Sequence, residues 1–359
     1  MPGPVPGIHD LRRFGKKDVD GRDKPGHDGV VKSKKGEDRM RNLIGLLVVL
    51  CCFAAWPAAA DDYPSRPIRA ITATSAGGTS DVYMRVLGEE LRKAWGQAVV
   101  VENRPGGGLN VGGRFCAEAA GDGYTICILP VETLTYNEFL YRSIPFKPER
   151  DFVPIANPFF DTQVLVVNSS LGVKSLADLA ALAKAKPKTL SYVTPSVPLY
   201  VYMEQWKKDN SLDIVWVPFK GGGDAVNGLL SGVTPIAFFG LANMIQYIHA
   251  GKLTALAVDG ETRSPLVPDV PTLRELGYKG PLTQVYFGIV APKGTPAAIV
   301  DKLSKEINRI DKLPEFRQKH LIELGLVPIE DTPEQFAKFL AADRARAKEI
   351  VKDSGLPLR

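Results

Sequence analysis

The chain has 359 residues, enough for one large domain or two of ordinary size, and its 45% hydrophobic and 24% charged composition is that of a folded globular protein. The formal charge of +5 is unevenly placed: residues 1–60 carry eleven of the 45 Lys/Arg and seven of the 40 Asp/Glu, which leaves 61–359 at +1. A body so close to neutral excludes a nucleic-acid binder advertised by overall charge, and no apolar run reaches the roughly 18 residues of a membrane span.

Residues 1–39 are rich in Gly, Pro, Lys and Asp and show no hydrophobic periodicity, so they read as a disordered or non-native extension. The character changes at Met40. Met40-Arg41-Asn42 is a short basic start, Leu43 to Trp56 is a 14-residue apolar run, and Ala58-Ala59-Ala60 precedes Asp61-Asp62. That order is the three-part layout of a secretory signal peptide over 40–60, with cleavage near Ala60 and translation starting at Met40. Cys51 and Cys52 follow Leu50 and not the small residue that a lipid-attachment site requires. The mature chain is therefore expected to begin near Asp61 and to be exported to the periplasm.

From 66 to 291 short β-rich runs alternate with amphipathic stretches. The pattern predicts strands over 68–74, 98–102, 124–129, 162–167, 190–193, 214–217, 236–239, 253–258 and 285–291. Between them it predicts helices over 80–95, 110–119, 176–185, 224–230 and 244–250. After Pro296 the chain turns helical at 297–310, 314–324 and 333–353. Strand–helix alternation over this length argues for two α/β units with largely parallel sheets.

Three strand-to-helix junctions are rich in glycine. The first is Thr74-Ser75-Ala76-Gly77-Gly78-Thr79-Ser80-Asp81, where backbone N–H groups and a helix N-terminus make a seat for a carboxylate or phosphate. Asp81 falls in the first helical turn, a position suited to capping. The second, Pro105-Gly106-Gly107-Gly108-Leu109-Asn110-Val111-Gly112-Gly113, misses dinucleotide spacing and reads as a tight turn followed by close helix packing. The third is Phe219-Lys220-Gly221-Gly222-Gly223-Asp224, where Lys220 can pair with an anion or lie in solvent. Cys116 lies in a predicted helix and Cys127 in the strand that follows. A helix packing back on its strand would let them form a disulfide; the alternative is two buried thiols acting as small hydrophobes. Neither arrangement is a metal site.

The order of the motifs says more than any one of them. Tyr63-Pro64-Ser65-Arg66-Pro67-Ile68, the Ala-Gly-Gly turn, Val101-Glu102-Asn103-Arg104-Pro105-Gly106 and Gly121-Asp122-Gly123-Tyr124-Thr125 occur in series. Later come Pro218-Phe219-Lys220-Gly221-Gly222, Ala250-Gly251-Lys252-Leu253, Pro271-Thr272-Leu273-Arg274-Glu275-Leu276-Gly277 and Ala291-Pro292-Lys293-Gly294-Thr295-Pro296. Across 61–359 this series resembles the Bug (TctC-type) family, the extracytoplasmic solute receptors of tripartite tricarboxylate transporters.

The resemblance implies a two-lobed α/β fold of the periplasmic-binding-protein (Venus flytrap) kind, with a helical C-terminal segment packed on lobe one. Lobe one would be 61–163 plus 288–359 and lobe two 164–287, joined by crossover strands near 162–167 and 285–291. A small organic carboxylate would be held by Ser75, Ala76, Gly77, Gly78, Thr79, Ser80 and Asp81 from lobe one and by a turn of lobe two, then delivered to membrane permease subunits. The receptor is expected to work as a monomer, without cofactor or metal. Two features depart from the family pattern. The lobe-two loop reads Val193-Thr194-Pro195-Ser196-Val197-Pro198-Leu199-Tyr200, keeping the Thr194 and Ser196 hydroxyls but losing two backbone donors to proline, and Pro198 can open the next helix. The aromatic residue that commonly precedes the first turn is replaced by Thr74, a loss for which Tyr200 or Phe160 could compensate. Glu132 and Thr133 sit where the family also lines its pocket; a cleft-facing Glu132 would repel a carboxylate and favour an amino or hydroxyl group. Gly221 and Gly222 complete the expected ligand set.

A secreted hydrolase is the competing class, but the chain has no G-x-S-x-G elbow, no H-E-x-x-H, and its histidines in 61–359, His249 and His320, stand alone in helical segments. A ligand-sensing co-receptor for a membrane kinase uses the same closure, and the receptor's own sequence does not separate it from transport.

Overall fold

The computed structural model describes residues 62–354 except 195, 220–221 and 281–283, together with 356 and 358. The extension 1–39, the signal-peptide reading of 40–60 and the start at Asp61 lie outside the described residues, as do Pro195, Lys220 and Gly221.

In chain order the elements are β1 (Ile68–Thr72), α1 (Thr79–Trp95), β2 (Val99–Asn103), α2 (Asn110–Ala117) and β3 (Thr125–Pro130). A π-helical turn (Glu132–Tyr136) runs into α3 (Asn137–Leu140), then α4 (Pro148–Asp151), β4 (Phe152–Ala156), β5 (Phe159–Asp161) and β6 (Gln163–Asn168). Next come α5 (Leu176–Ala185), β7 (Leu190–Val193), α6 (Val197–Asn210), β8 (Ile214–Trp216), α7 (Gly222–Leu230), β9 (Ile236–Gly240), α8 (Leu241–His249) and β10 (Leu253–Asp259). The chain ends with β11 (Phe287–Pro292), α9 (Ala297–Asp311), α10 (Pro314–His320), β12 (Leu326–Pro328) and α11 (Pro333–Ser354).

The strands form two five-stranded sheets, ordered β2-β1-β3-β11-β4 and β10-β6-β9-β7-β8, and a small β12-β5 ribbon. Each large sheet is the centre of one lobe. The expectation of largely parallel sheets is corrected here. In the first sheet β1 runs parallel to β2 and β3, but β11 is antiparallel to both β3 and β4. In the second, β7 is parallel to β8 and β9, but β6 is antiparallel to β9 and β10. The reason is the crossing. β6 and β11 enter their sheets from the other lobe, so they run against strands that were wound within the lobe.

Each sheet is covered on both faces, and strand residues alternate between the two. Ile68, Ala70, Ile126, Ile128 and Ile289 face α1 and α9, whereas Ile71, Cys127, Leu129 and Val290 face α2 and α11. In the second sheet Leu165, Val167, Tyr192 and Phe238 face one side, and Val164, Val166, Ala237 and Phe239 the other. The helical C-terminal segment packs on lobe one, with α9 and α11 against β4. All nine expected strands form, with ends displaced by at most two residues. β4 was not foreseen, because Pro154 interrupts its pattern; it is an edge strand, where a missing N–H is tolerated. The second glycine turn behaves as expected. A Cβ on Gly112 would stand 2.6 Å from Ala73 Cα, so α2 packs against the end of β1 only with glycine there.

Cys116 in α2 and Cys127 in β3 form a disulfide with Cα atoms 6.2 Å apart, and both residues are fully buried. Removing a cross-link of this span costs about 2–3 kcal/mol in the chain-entropy picture. The Cys116→Ala/Cys127→Ala protein should therefore unfold at lower urea, with an m-value equal to or larger than that of the cross-linked protein because its unfolded chain is less constrained, and a loss under about 0.5 kcal/mol would show that the cross-link does not stabilise the fold.

Candidate functional site

Two chain segments connect the lobes, and they run side by side. Asp161 N–H donates to the Val285 carbonyl at 2.8 Å, and Phe160 and Tyr286 form an antiparallel bridge. Their ends are anchored on each lobe: Leu241 N–H donates to the Thr162 carbonyl at 2.7 Å, and β12 pairs with β5. A buried polar node fixes the returning segment to α11. The Asp343 carboxylate accepts from Tyr286 OH at 2.9 Å and Thr135 Oγ1 at 2.7 Å, and it also pairs with Arg346. Phe160 packs edge-on against Tyr286 and Phe339, so it is hinge packing and not a replacement for the missing cleft aromatic. Tyr200 stands edge-on to Trp216 and lines a groove of about 1220 Å3 between α6 and the end of α11.

The first glycine turn is rigid. Thr72, Thr74 and Ser80 hydroxyls form a buried triangle with edges of 3.1, 2.8 and 2.7 Å. Asp81 Oδ2 accepts from Gly77 N–H at 2.9 Å, while its Oδ1 accepts from Asn103 Nδ2 at 2.9 Å and Arg85 Nε at 3.1 Å. Asn103 also donates to the Thr74 carbonyl at 3.1 Å. Burial alone would raise the Asp81 pKa, but the Arg85, Gly77 and Asn103 donors outweigh it and hold the carboxyl below its ordinary value. Asp81 and Ser80 therefore build the turn from within. What the turn leaves open is the start of α1: Gly78 is the N-cap residue, and no side chain caps the helix. First-turn amides of a 17-residue helix remain to be satisfied there. Gly77 has φ of +80°, which glycine adopts without strain.

The second lobe closes directly on this turn. Asn243 Nδ2 of α8 donates to Thr79 Oγ1 at 2.8 Å, and a Cβ on Gly223 would stand 3.2 Å from the Ala76 carbonyl oxygen. The first and third glycine turns thus meet, and Gly222 opens α7 beside them. A cavity of about 390 Å3, within the range of small-ligand sites, opens between Gly77, Thr79 and Tyr83 of lobe one and Gly223, Asn243 and Gln246 of lobe two.

A second contact joins the lobes through Glu132, at the start of the π-helical turn. It is 5% exposed, and it faces the Ser196 hydroxyl and the Val197 amide at the N-terminus of α6. Neither reaches Oε1 in hydrogen-bond geometry: Glu132 Oε1 and Ser196 Oγ are both buried without a hydrogen-bond partner. Burial is the largest effect on this carboxyl and pushes its pKa up to about 7, although Ser196 and Val197 pull it down. Thr194 is buried, with Oγ1 3.5 Å from the Ser196 carbonyl, and Thr133 Oγ1 donates to the Leu109 carbonyl at 3.2 Å. Of the expected side chains, then, Thr79, Glu132 and Ser196 look across the junction. Ser80, Asp81 and Thr133 are committed within lobe one. Ser75 is half-buried, Ala76 and Gly77 are exposed, and Gly221 is outside the described residues.

Sequence reasoning missed Asn103, Asn243 and Asp161. Asn103 lay within a quoted motif; Asn243 carried no signal at all. Asp161, at the end of β5, is buried with Oδ1 unpartnered, and burial pushes its pKa up to about 7.

The tripartite tricarboxylate transporter family receptor model matches residues 83–356. The chain belongs to that family. BugT of Bordetella pertussis is 34% identical over 89% of this chain and 99% of its own. The periplasmic binding protein BugD superposes with a TM-score of 0.77 at 29% identity, over 82% of this chain and 99% of that one. MatC from Rhodopseudomonas palustris with bound malate gives a TM-score of 0.74 at 27% identity, over 80% and 100%. The TctC-type receptors bind solutes and are not enzymes. Among the described residues no helix is long and apolar enough to cross a membrane.

The raised Glu132 pKa has a definite sign. Below its unfolded value of 4.5 both states are protonated; as pH rises toward 7 the unfolded state ionises first, so folding stability falls and the full penalty is present above 7. Glu132→Gln should therefore stabilise the protein at pH 8, by at most about 3 kcal/mol, and leave it unchanged at pH 4. Thermal unfolding across that range is the check, and a pH-independent difference would place the carboxyl in solvent.

Proposed function

We propose that this receptor captures a small organic carboxylate between its lobes and delivers it to the membrane permease subunits of a tripartite tricarboxylate-type transporter. It does so as a periplasmic monomer released by cleavage near Ala60. Lobe one is assigned to 61–163 plus 288–359 and lobe two to 164–287. The observation that carries the reading is the uncapped start of α1, set in a rigid turn where lobe two meets it. A helix N-terminus with free amides attracts an anion, and a site split between lobes lets binding favour the closed state. The likeness to a malate-bound receptor supports a carboxylate as that anion. No cofactor takes part, because capture needs only differential affinity for the closed form.

Ligand that binds only the folded protein must raise its unfolding temperature, by about 2.7 kcal/mol of stabilisation at a hundredfold excess over Kd. Among mono-, di-, tri- and aromatic carboxylates and amino acids, one class should give a clear shift. A flat response to every carboxylate from well-folded protein would overturn the reading. The Thr79–Asn243 bond exists only when the lobes meet, so Asn243→Ala should weaken ligand binding about three- to tenfold while the circular dichroism spectrum is kept. Unchanged affinity in calorimetry would show that this contact does not hold the closed state.

A further inference from the structure

We infer that the ligand carries a single carboxylate on an apolar body: the carboxylate sits at the start of α1, and the aliphatic or aromatic body fills the cavity between α1 and α8. This rests on the carboxylate-receptor reading above and deepens it.

The cavity of about 390 Å3 is one space with that helix start, since Gly77 and Thr79 form part of its wall. Beyond them the wall turns apolar. Val82 and Val86 follow along α1, Ala242 and Ile245 come from α8, and Leu324 and Leu326 close the side formed by lobe one. Tyr83 presents no free hydroxyl, because its OH lies 2.9 and 3.0 Å from the two carboxylate oxygens of Asp311. An aliphatic chain or an aromatic ring gains by leaving water for such a wall.

A second carboxylate would gain nothing there. An anion taken out of water needs a cation or several donors in place of its hydration. Among the described residues that line the cavity there is no Lys or Arg, and the polar side chains of α7 and α8 are the neutral carboxamides Asn227, Asn243 and Gln246. His320 also lines it, but burial, with Lys319 beside it, holds the imidazole below its ordinary pKa, so it brings no positive charge at neutral pH.

The other helix starts at the junction do not supply a second seat. α8 begins behind Gly240, and a Cβ on Gly240 would collide with the Asp161 carboxyl, so an acid already stands beside that end. The first amide of α8, on Leu241, is spent on the Thr162 carbonyl. α7 begins at Gly222, and the Ala76 carbonyl oxygen lies against Gly223 in its first turn. An anion brought to either start would meet an oxygen of the protein already in place. At α1 no side chain caps the helix.

Matched pairs test this. Adipate is hexanoate with its terminal methyl exchanged for a carboxylate, and terephthalate is benzoate with a second carboxylate. Calorimetric titration of the purified protein at neutral pH should show hexanoate or benzoate binding at least about tenfold more tightly than its dicarboxylate counterpart. Gln246 is exposed on α8, so Gln246→Arg brings a cation to the cavity without disturbing the core, and the preference should fall at least about tenfold or reverse. Val82→Arg, at a position 40% exposed on α1, should act in the same direction and serves if the first variant fails to fold. Wild-type protein that binds adipate or terephthalate as tightly as its partner, or a preference unchanged in both variants, would overturn the apolar-body proposal while leaving the receptor reading intact. Binding of none of the four to any of the three proteins would overturn the proposal as well, and the receptor reading would fall with it if the wider carboxylate panel were also flat.

Discussion

The geometry depends on the pairing of two short segments, 159–161 on the way out of lobe one and 285–287 on the way back. They share a backbone hydrogen bond and an antiparallel bridge, and each continues into a five-stranded sheet. Because β6 and β11 are inner strands of their sheets, any rotation of these segments turns a whole lobe. Asp343 ties the returning segment to α11 and to the π-helical turn that carries Glu132. One buried carboxylate thereby links the hinge, the C-terminal helix and the turn from which Glu132 contacts the other lobe.

The two contacts between the lobes are built on opposite principles. In the α1 turn nearly every polar side chain is satisfied: three hydroxyls bond one another, and Asp81 holds Gly77, Asn103 and Arg85 together. A fully bonded network is rigid and presents its amides in fixed positions. At the Glu132 contact, by contrast, Glu132 Oε1 and Ser196 Oγ are buried without a hydrogen-bond partner. Such an arrangement is costly, because a buried polar atom loses its bonds to water and gains none in return.

Much of the architecture could be read in the chain. Apolar runs located nine of the strands, since stretches such as Ile236–Gly240, buried on both faces, are bounded by turn residues. Strand direction could not be read, because it follows from which lobe a strand comes from, and no local pattern in β11 records that. β5 and β12 are three residues each and have too little length for a period. At the site, the glycines announced the turns and Asp81 its structural role. Asn243 could not be found, because its meeting with Thr79 spans 164 positions and exists only through the fold. The exposure of Glu132 was undecidable in sequence, since a polar residue after a strand can point to solvent or inward with equal ease.

The placement of β11 has a consequence for how the molecule is made. Lobe two is an insertion: all the strands of its sheet lie within 163–259, so it can complete its core from one continuous stretch. Lobe one cannot. Its central sheet lacks an inner strand until residues 287–292 arrive, and β4 has no partner until then. A chain emerging from its N-terminus would therefore hold β1, β2, β3 and their helices as an unfinished half-sheet while lobe two forms around its own contacts. Lobe one begins first and is finished last.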